Sequence, residues 1–406
     1  MKFSHELPIV EVGIVILCLG LWMPIARATH GEVEALDLAK RMAMTSMKEW
    51  SVVGPAKDRF QYELGVYLAG IELVWEATGD SKYFDYIKFK VDRHVMDNGT
   101  IAGNYNLTEF NIDNIMTGRL VLMLYKKTGD RKYKIAADIL RKQLRQHPRI
   151  REGGFWHKLV YPYQMWLDGL YMAQPFYAEY AKLFHEATVF DDVASQFIIM
   201  ERRSRDFTTG LLYHGYDESR VQNWSDPKTG RSPSFWGRAM GWYFMAIVDT
   251  LDIIPKHHPK RAHLLAITRN IAVALTKVQD SKSGLWWQVL DKPNQKGNYL
   301  ESSASAMFVY SYAKGVRKGY LPPKYLKIAK QGYAGIVSNF ITGTADGGVN
   351  YNRIASVGGL GGTPYRNGTF EYYISEPIAT NDPKGVGPFM MCSVEMSYAS
   401  VSMRRP

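Results

Sequence analysis

The fold is decided by a short stretch, Thr78-Gly79-Asp80-Ser81-Lys82-Tyr83, which returns in similar form as Thr128-Gly129-Asp130-Arg131-Lys132-Tyr133. Each copy lies between two segments whose apolar residues recur mostly at three- and four-residue spacing, which is typical of helices. The glycine can take the left-handed conformation that ends a helix, and the aspartate can cap the next one. The repeat therefore predicts turns between paired helices.

Looser turn signals recur at intervals of roughly fifty to seventy residues, and strand-like alternation is scarce. The periodicity predicts about a dozen helices. They are 32–50, 60–77, 81–92, 112–127, 131–146, 165–184, 190–205, 235–253, 260–279, 301–317, 323–341 and 388–402.

Twelve helices paired as six hairpins predict an all-α protein with an (α/α)6 barrel, and an α-solenoid is the alternative because it shares the hairpin unit. The long loops favour the barrel, since loops of this length are usually functional and a barrel gathers them over a pocket. They are rich in Gly, Trp, Tyr, His and Asp, and cover 93–111, 148–164, 206–234, 280–300 and 342–387. Within the last, Gly358-Gly359-Leu360-Gly361-Gly362 is interpreted as a flexible rim loop.

The composition is that of a globular protein. The chain has 406 residues, 46% of them hydrophobic and 22% charged, which excludes a disordered, collagen-like or polytopic membrane protein. Its length alone would allow two or three domains, but a barrel of this kind is one large domain. The formal net charge is +11. The basic residues are scattered, so we expect no nucleic-acid partner.

The N-terminus resembles an export signal. Lys2 precedes an apolar run from Val12 to Ile25, which ends at Ala26-Arg27-Ala28. The run is shorter than a spanning helix needs, and the small residues suit a signal peptidase. We expect a signal peptide over 1–28, cleaved near Ala28, and a periplasmic or secreted protein without a membrane partner. An uncleaved anchor is the alternative.

The mature chain, 29–406, is then a single catalytic barrel. It retains one cysteine, Cys392, because Cys18 leaves with the signal. An intramolecular disulfide and a cysteine-based zinc site are therefore excluded, and burial of the core must stabilise the fold. The sequence does not specify an oligomeric state.

Two aspartates are candidates for chemistry. Asp168 lies among Trp166, Leu167, Leu170 and Tyr171, and apolar surroundings raise the pKa of a carboxyl group, which suits a general acid. Asp113 opens a helix, and a second carboxylate near the first would raise a pKa by repulsion. For each aspartate the alternative is a helix cap.

Arg238 lies between Trp236 and Trp242. A planar guanidinium held among aromatic rings can clamp a carboxylate, although a surface arginine stacked on tryptophan is an equal alternative. His157 and His214 occupy loops rich in glycine and aromatic residues, where hydrogen bonding is a more common role than catalysis.

The sequence as a whole resembles the unsaturated rhamnogalacturonyl hydrolases of glycoside hydrolase family 105, over nearly the whole mature chain. The resemblance rests on several motifs together. They are Gly153-Gly154-Phe155-Trp156-His157-Lys158, Gln164 to Met172, His214 to Ser219, Trp236 to Trp242, and Tyr372 to Pro377 with Asn381 to Gly387.

The resemblance implies an (α/α)6 barrel that removes a 4,5-unsaturated galacturonosyl residue from the non-reducing end of rhamnogalacturonan oligosaccharides, which are anionic. It implies that Asp168 is the general acid/base and that Asp113 is the assisting carboxylate, with no cofactor and no metal. The implied substrate contacts are Tyr62, His157, Trp166, His214, Trp236, Arg238 and Trp242.

Two alternatives stay open at the level of the sequence. One is an unsaturated glucuronyl hydrolase acting on fragments of ulvan or glycosaminoglycans. The other is a sugar-binding protein without catalytic activity, against which the presence of Asp168 argues.

Overall fold

The structure is a computed structural model, and it describes residues 35–51 and 59–402, with side chains up to 399. The predicted signal peptide, 1–28, lies outside the described residues. Within the described part of the chain, no helix is both long and apolar enough to cross a membrane.

Twelve of the described helices form two concentric rings. The inner ring consists of α2 (Tyr62–Thr78), α4 (Gly118–Thr128), α6 (Leu167–Leu183), α8 (Gly237–Leu251), α10 (Ser302–Arg317) and α13 (Pro383–Ser402). The outer ring consists of α1 (Ala35–Ser51), α3 (Ser81–Asp92), α5 (Arg131–Gln146), α7 (Val189–Ser204), α9 (Arg261–Lys277) and α11 (Tyr325–Phe340).

The inner ring is closed. Each inner helix packs on the next, and α13 packs on both α10 and α2. Every residue of α8 is buried, whereas α9 buries one face. A solenoid would leave its first and last hairpins apart. The closed ring therefore confirms the (α/α)6 barrel.

The repeated turns have the predicted chemistry. Gly79 and Gly129 end α2 and α4 in the left-handed conformation, with φ of 70° and 68°. The side chains of Asp80 and Asp130 accept hydrogen bonds from backbone N–H groups at 3.1 and 3.0 Å and cap α3 and α5. In both turns, the glycine and the aspartate are therefore explained by the local backbone geometry and by helix capping.

Two helices begin five or more residues away from the predicted position, whereas the other described boundaries differ by three residues or fewer. The expected helix 112–127 is divided into a 3-10 turn, Ile112–Ile115, and α4, and the N–H of Ile112 donates to the carbonyl of His157 in a neighbouring loop. The last helix begins at Pro383 rather than at 388, since the side chain of Asp382 caps the N–H of Lys384 at 2.9 Å.

The long loops contain short elements at the amino-terminal ends of the inner helices. Strands β1 (Gln164–Trp166) and β2 (Gly215–Asp217) pair antiparallel, with Trp166 opposite Gly215. The loop 342–387 also contains a short helix, α12 (Phe370–Ser375). Its strands form two further antiparallel pairs, β3 (Ile341–Gly343) with β4 (Val349–Tyr351), and β5 (Ile354–Ala355) with β6 (Ile378–Ala379).

Candidate active site

Asp168 lies in the first turn of α6, where it is 8% exposed. The β1–β2 pair places His214 beside it, and the N–H of Leu167 donates to the carbonyl of His214 at 3.0 Å. The Asp168 Oδ2 and His214 Nε2 atoms are 3.0 Å apart, although they are not aligned as a hydrogen bond. Trp166 is the cap residue of α6, so the capping alternative for Asp168 is wrong.

Asp113 faces the side chains of Lys158 and His157. Its Oδ2 is 2.7 Å from Lys158 Nζ and its Oδ1 is 3.3 Å from His157 Nε2. Burial alone would raise the pKa of Asp113, but the charges and hydrogen bonds of Lys158 and His157 outweigh it and hold that pKa well below its usual range. The expected rise from a second carboxylate is therefore not the net effect on Asp113. The helix cap here is Asn111.

A line of aromatic rings connects the two aspartates. The ring of His157 stacks on Trp166 at a centroid distance of 4.3 Å, and Trp166 lies 5.4 Å from the ring of His214. Because His157 contacts Asp113 and His214 contacts Asp168, both carboxyl groups belong to one site.

Arg238 is 1% exposed at the start of α8, so the surface-arginine alternative is wrong. Its Cζ lies 4.9 Å from the ring centroid of Trp236. Its Nη1 donates to the carbonyl of Ala355 and contacts Ser303 Oγ at 3.4 Å, whereas Nε has no hydrogen-bond partner among the described residues. The guanidinium is therefore anchored on one side and retains an unsatisfied donor.

Tyr62 and Trp242 meet near these groups, with ring centroids 6.3 Å apart. Burial raises the pKa of Tyr62 well above its ordinary value, assisted by the charges of Glu63 and Asp113, while Arg238 opposes it. Trp242 is 1% exposed and stacks on Tyr171 at 5.0 Å. The structure thus brings all the candidate residues into one region, and their individual roles remain predictions.

The glycine-rich segment 358–362 packs closely on the site. A Cβ at Gly358 would overlap the ring of Trp236, and Leu360 is fully buried against Trp166 and Trp224. Glycine is therefore needed for close approach. The segment covers Trp236, which its interpretation as a flexible rim loop did not anticipate.

Sequence reasoning missed three residues that hold the site together. Lys158 follows His157 within a motif, but adjacency does not reveal its contact with Asp113. The hydroxyl of Tyr373 contacts His214 Nδ1 at 2.6 Å across 159 residues of chain. Glu301, which is fully buried, accepts hydrogen bonds from Ser303 and from the N–H of Ala355. Lys158 and Tyr373 lie within motifs that carry the family resemblance, whereas Glu301 lies in none of them.

A buried carboxyl group beside an imidazole, a second carboxylate, a buried arginine and aromatic walls, at one end of an (α/α)6 barrel, define a glycoside hydrolase. The chain belongs to the family described as Glycosyl Hydrolase Family 88, which matches residues 37–399.

Three relatives illustrate the similarity. The 24.9 kDa protein in picA locus of Rhizobium radiobacter is 39% identical over 230 residues, which are 55% of this chain and 97% of that protein. The unsaturated rhamnogalacturonyl hydrolase YesR of Bacillus subtilis is 33% identical over 248 residues, which are 60% of this chain and 67% of YesR. A solved family 105 glycoside hydrolase of C. acetobutylicum has a TM-score of 0.85 at 50% identity, over 88% of this chain and 98% of that one.

Proposed function

We propose that this glycosidase removes the 4,5-unsaturated galacturonosyl residue from the non-reducing end of rhamnogalacturonan oligosaccharides by hydrating the C4–C5 double bond. The observation that carries the proposal is the position of Asp168, buried beside His214 in the same site as Asp113 and Arg238. The name of the Bacillus subtilis relative supports the choice of substrate.

The reaction needs one group that first gives and then takes a proton. The unsaturated uronide contains an enol ether, so transfer of the Asp168 proton to C4 generates an oxocarbenium ion at C5. Ionised Asp168 then accepts a proton from the water that adds at C5. The hemiketal opens by cleavage of the C5–O5 bond, which leaves a ketone at C5 and a hemiacetal at C1. Collapse of that hemiacetal to the aldehyde releases the rhamnose-bearing alcohol, with Asp168 already protonated again.

Asp113 is suited to an electrostatic role in this scheme. Its pKa is held low by Lys158 and His157 despite burial, so it is ionised while Asp168 handles the proton. A fixed negative charge stabilises a neighbouring oxocarbenium ion. An ordinary glycosidase instead attacks C1 and needs two carboxylates at a set separation.

A cationic group and aromatic side chains are suited to bind the carboxylate and the ring of the substrate. Arg238 retains an unsatisfied Nε–H, and guanidinium donors match carboxylate geometry. Trp236 lies against Arg238 and is 1% exposed. We assign Arg238 to binding the substrate carboxylate and the tryptophans to the apolar walls that enclose the sugar.

The experiment compares two unsaturated substrates by the loss of ultraviolet absorbance of the double bond. We expect hydrolysis of an unsaturated rhamnogalacturonan disaccharide in preference to unsaturated ulvan or glycosaminoglycan fragments. Faster turnover of the glucuronyl fragments would transfer the assignment to the alternative hydrolase. Binding without any turnover would leave a sugar-binding protein.

We also propose that the protein is exported and that its signal peptide is cleaved near Ala28. N-terminal sequencing of the protein recovered from its native host tests this, since an intact Met1 would contradict it.

A further inference from the structure

His214 is fully buried and has a different partner at each ring nitrogen. Its Nδ1 lies 2.6 Å from the hydroxyl of Tyr373, and its Nε2 lies 3.0 Å from Asp168 Oδ2. Its ring lies against those of Trp166 and Trp236, with centroid distances of 5.4 and 4.9 Å. The imidazole is therefore enclosed, and its orientation is set by the protein.

The proton positions follow from the partner of Tyr373. This tyrosine is fully buried, and within the described residues its hydroxyl has one hydrogen-bond partner, His214 Nδ1. Burial raises the pKa of Tyr373 well above its ordinary value, so the phenol keeps its proton. Nδ1 is the one acceptor that this O–H group has among the described residues, so the O–H donates a hydrogen bond to Nδ1. A neutral imidazole that accepts at Nδ1 carries its own proton at Nε2.

We propose that Tyr373 is a positioning residue that fixes His214 with its proton on Nε2, so that His214 stabilises Asp168 each time Asp168 becomes ionised. The inference rests on the proposed function for the moment at which that charge forms, which is after proton transfer to C4. The opposite tautomer would place the Nε2 lone pair against the carboxylate. A donor held 3.0 Å from the oxygen on which the charge develops can stabilise that charge with little reorganisation.

Contacts with neighbouring residues fix the position of Tyr373. Its ring stacks on Trp236 at a centroid distance of 5.5 Å, and its carbonyl accepts a hydrogen bond of 3.1 Å from Gln288, whose Oε1 accepts from Trp236 Nε1. The charged groups that act on its hydroxyl are Asp168, Arg366 and Glu376. A segment of the long C-terminal loop thereby takes part in the site.

The first test measures the tautomer of His214 in the wild-type protein. Histidine-selective ¹⁵N labelling reports the tautomer of His214, whose signals are identified by their loss in His214→Gln. We expect the wild-type ring to carry its proton on Nε2. A proton on Nδ1 would overturn the proposal, and this readout does not depend on which sugar the enzyme hydrolyses.

The second test is Tyr373→Phe, which removes only the hydroxyl. We expect kcat to fall about 10- to 100-fold with KM changed less than about 3-fold, as for other residues that orient a reacting group. Nδ1 should also become protonated in a measurable fraction of the molecules. Tyr333→Phe is the control, because Tyr333 is buried on α11 and its hydroxyl contacts Ser393 instead.

The outcomes separate the two proposals. An unchanged kcat or an unchanged His214 tautomer in Tyr373→Phe would refute the role of Tyr373. If the wild-type protein hydrolyses no unsaturated uronide, the proposed function fails, and the tautomer measurement still decides the role of Tyr373.

Discussion

The proposed reaction uses Asp168 twice, first as a proton donor and then as a proton acceptor. Asparagine has nearly the same shape but can neither give up nor accept that proton, so we expect Asp168→Asn to lower kcat by at least ~10²-fold. Substrate affinity should change little, because the contacts of Arg238 and the aromatic rings remain. Ultraviolet assays over a range of substrate concentrations separate kcat from KM.

The control for this variant is Asp138→Asn. Asp138 lies on the outer helix α5 and pairs with Lys134 at 2.8 Å. Its amide variant should retain full activity. Near-normal turnover in Asp168→Asn would refute the mechanism.

Lys158 controls the ionisation of Asp113. Because the folded-state pKa of Asp113 lies below its unfolded value, this carboxylate stabilises the fold above the unfolded pKa of about 4 and loses that contribution as the pH falls through its folded pKa. Lys158→Met removes the leading attraction, so the pKa of Asp113 rises. We expect the acid limb of kcat/KM to move to higher pH.

The pH profile of the variant, measured against that of Lys126→Met, checks this expectation. Lys126 pairs with Glu179 at 2.7 Å away from the site, so its variant should keep the wild-type profile. An unmoved acid limb in Lys158→Met would show that Asp113 does not need to be ionised.

At the scale of elements, the contact between α2 and α13 closes the inner ring. A Cβ at Gly387 would overlap the backbone carbonyl of Val66 on α2. Gly387→Ala must therefore push the two helices apart. Overpacking of this kind costs about 1–3 kcal/mol, which chemical denaturation measures as a lower midpoint.

Gly343→Ala is the matched control for that variant, because a Cβ there meets no heavy atom within 4 Å. Its stability should stay near that of the wild type. Equal stability of the two variants would mean that close approach at Gly387 does not hold the ring closed.

At the scale of the whole molecule, the barrel contains a second charged region at the end opposite the candidate active site. A cavity of about 260 Å³ lies between the inner helices there and is lined by Glu72, Arg119, Asp249 and Lys314, among others. Asp249 is 3% exposed and lies 2.6 Å from Lys314 and 3.0 Å from Arg119. This network joins α4, α8 and α10.

Glu72 makes that end sensitive to pH. Burial, with a contribution from Glu76, raises its pKa to about 7. Its folded pKa therefore exceeds its unfolded value, so the folded state binds more protons and stability falls as the pH rises between the two values. Glu72→Gln removes this dependence. We expect the variant to melt above the wild type at pH 8, with a smaller difference near pH 5.

Thermal unfolding at the two pH values checks the effect. Glu179→Gln, at another acidic residue of the same cavity, is the comparison. The interpretation would be wrong if Glu72→Gln lowered the melting temperature at pH 8.

Most helices could be predicted because their signals are local. The turns at Gly79-Asp80 and Gly129-Asp130 are formed by hydrogen bonds between residues close in sequence. Such turns can therefore be recognised in the sequence. The division of 112–127 into a 3-10 turn and α4 was not predicted, because apolar residues continue through both parts. The residues of the site were found through the motifs of a family, which record contacts that spacing alone does not reveal.

The sequence by itself determined the helical hairpins and the barrel class, and it predicted which two carboxyl groups belong to the candidate site. Only the tertiary structure decided what surrounds those groups: Lys158 against Asp113, Tyr373 behind His214, and Ala355 against Arg238, the last two across 159 and 117 residues. The physical reason is that a side chain's protonation and orientation depend on burial and on partners that meet only when the ring closes.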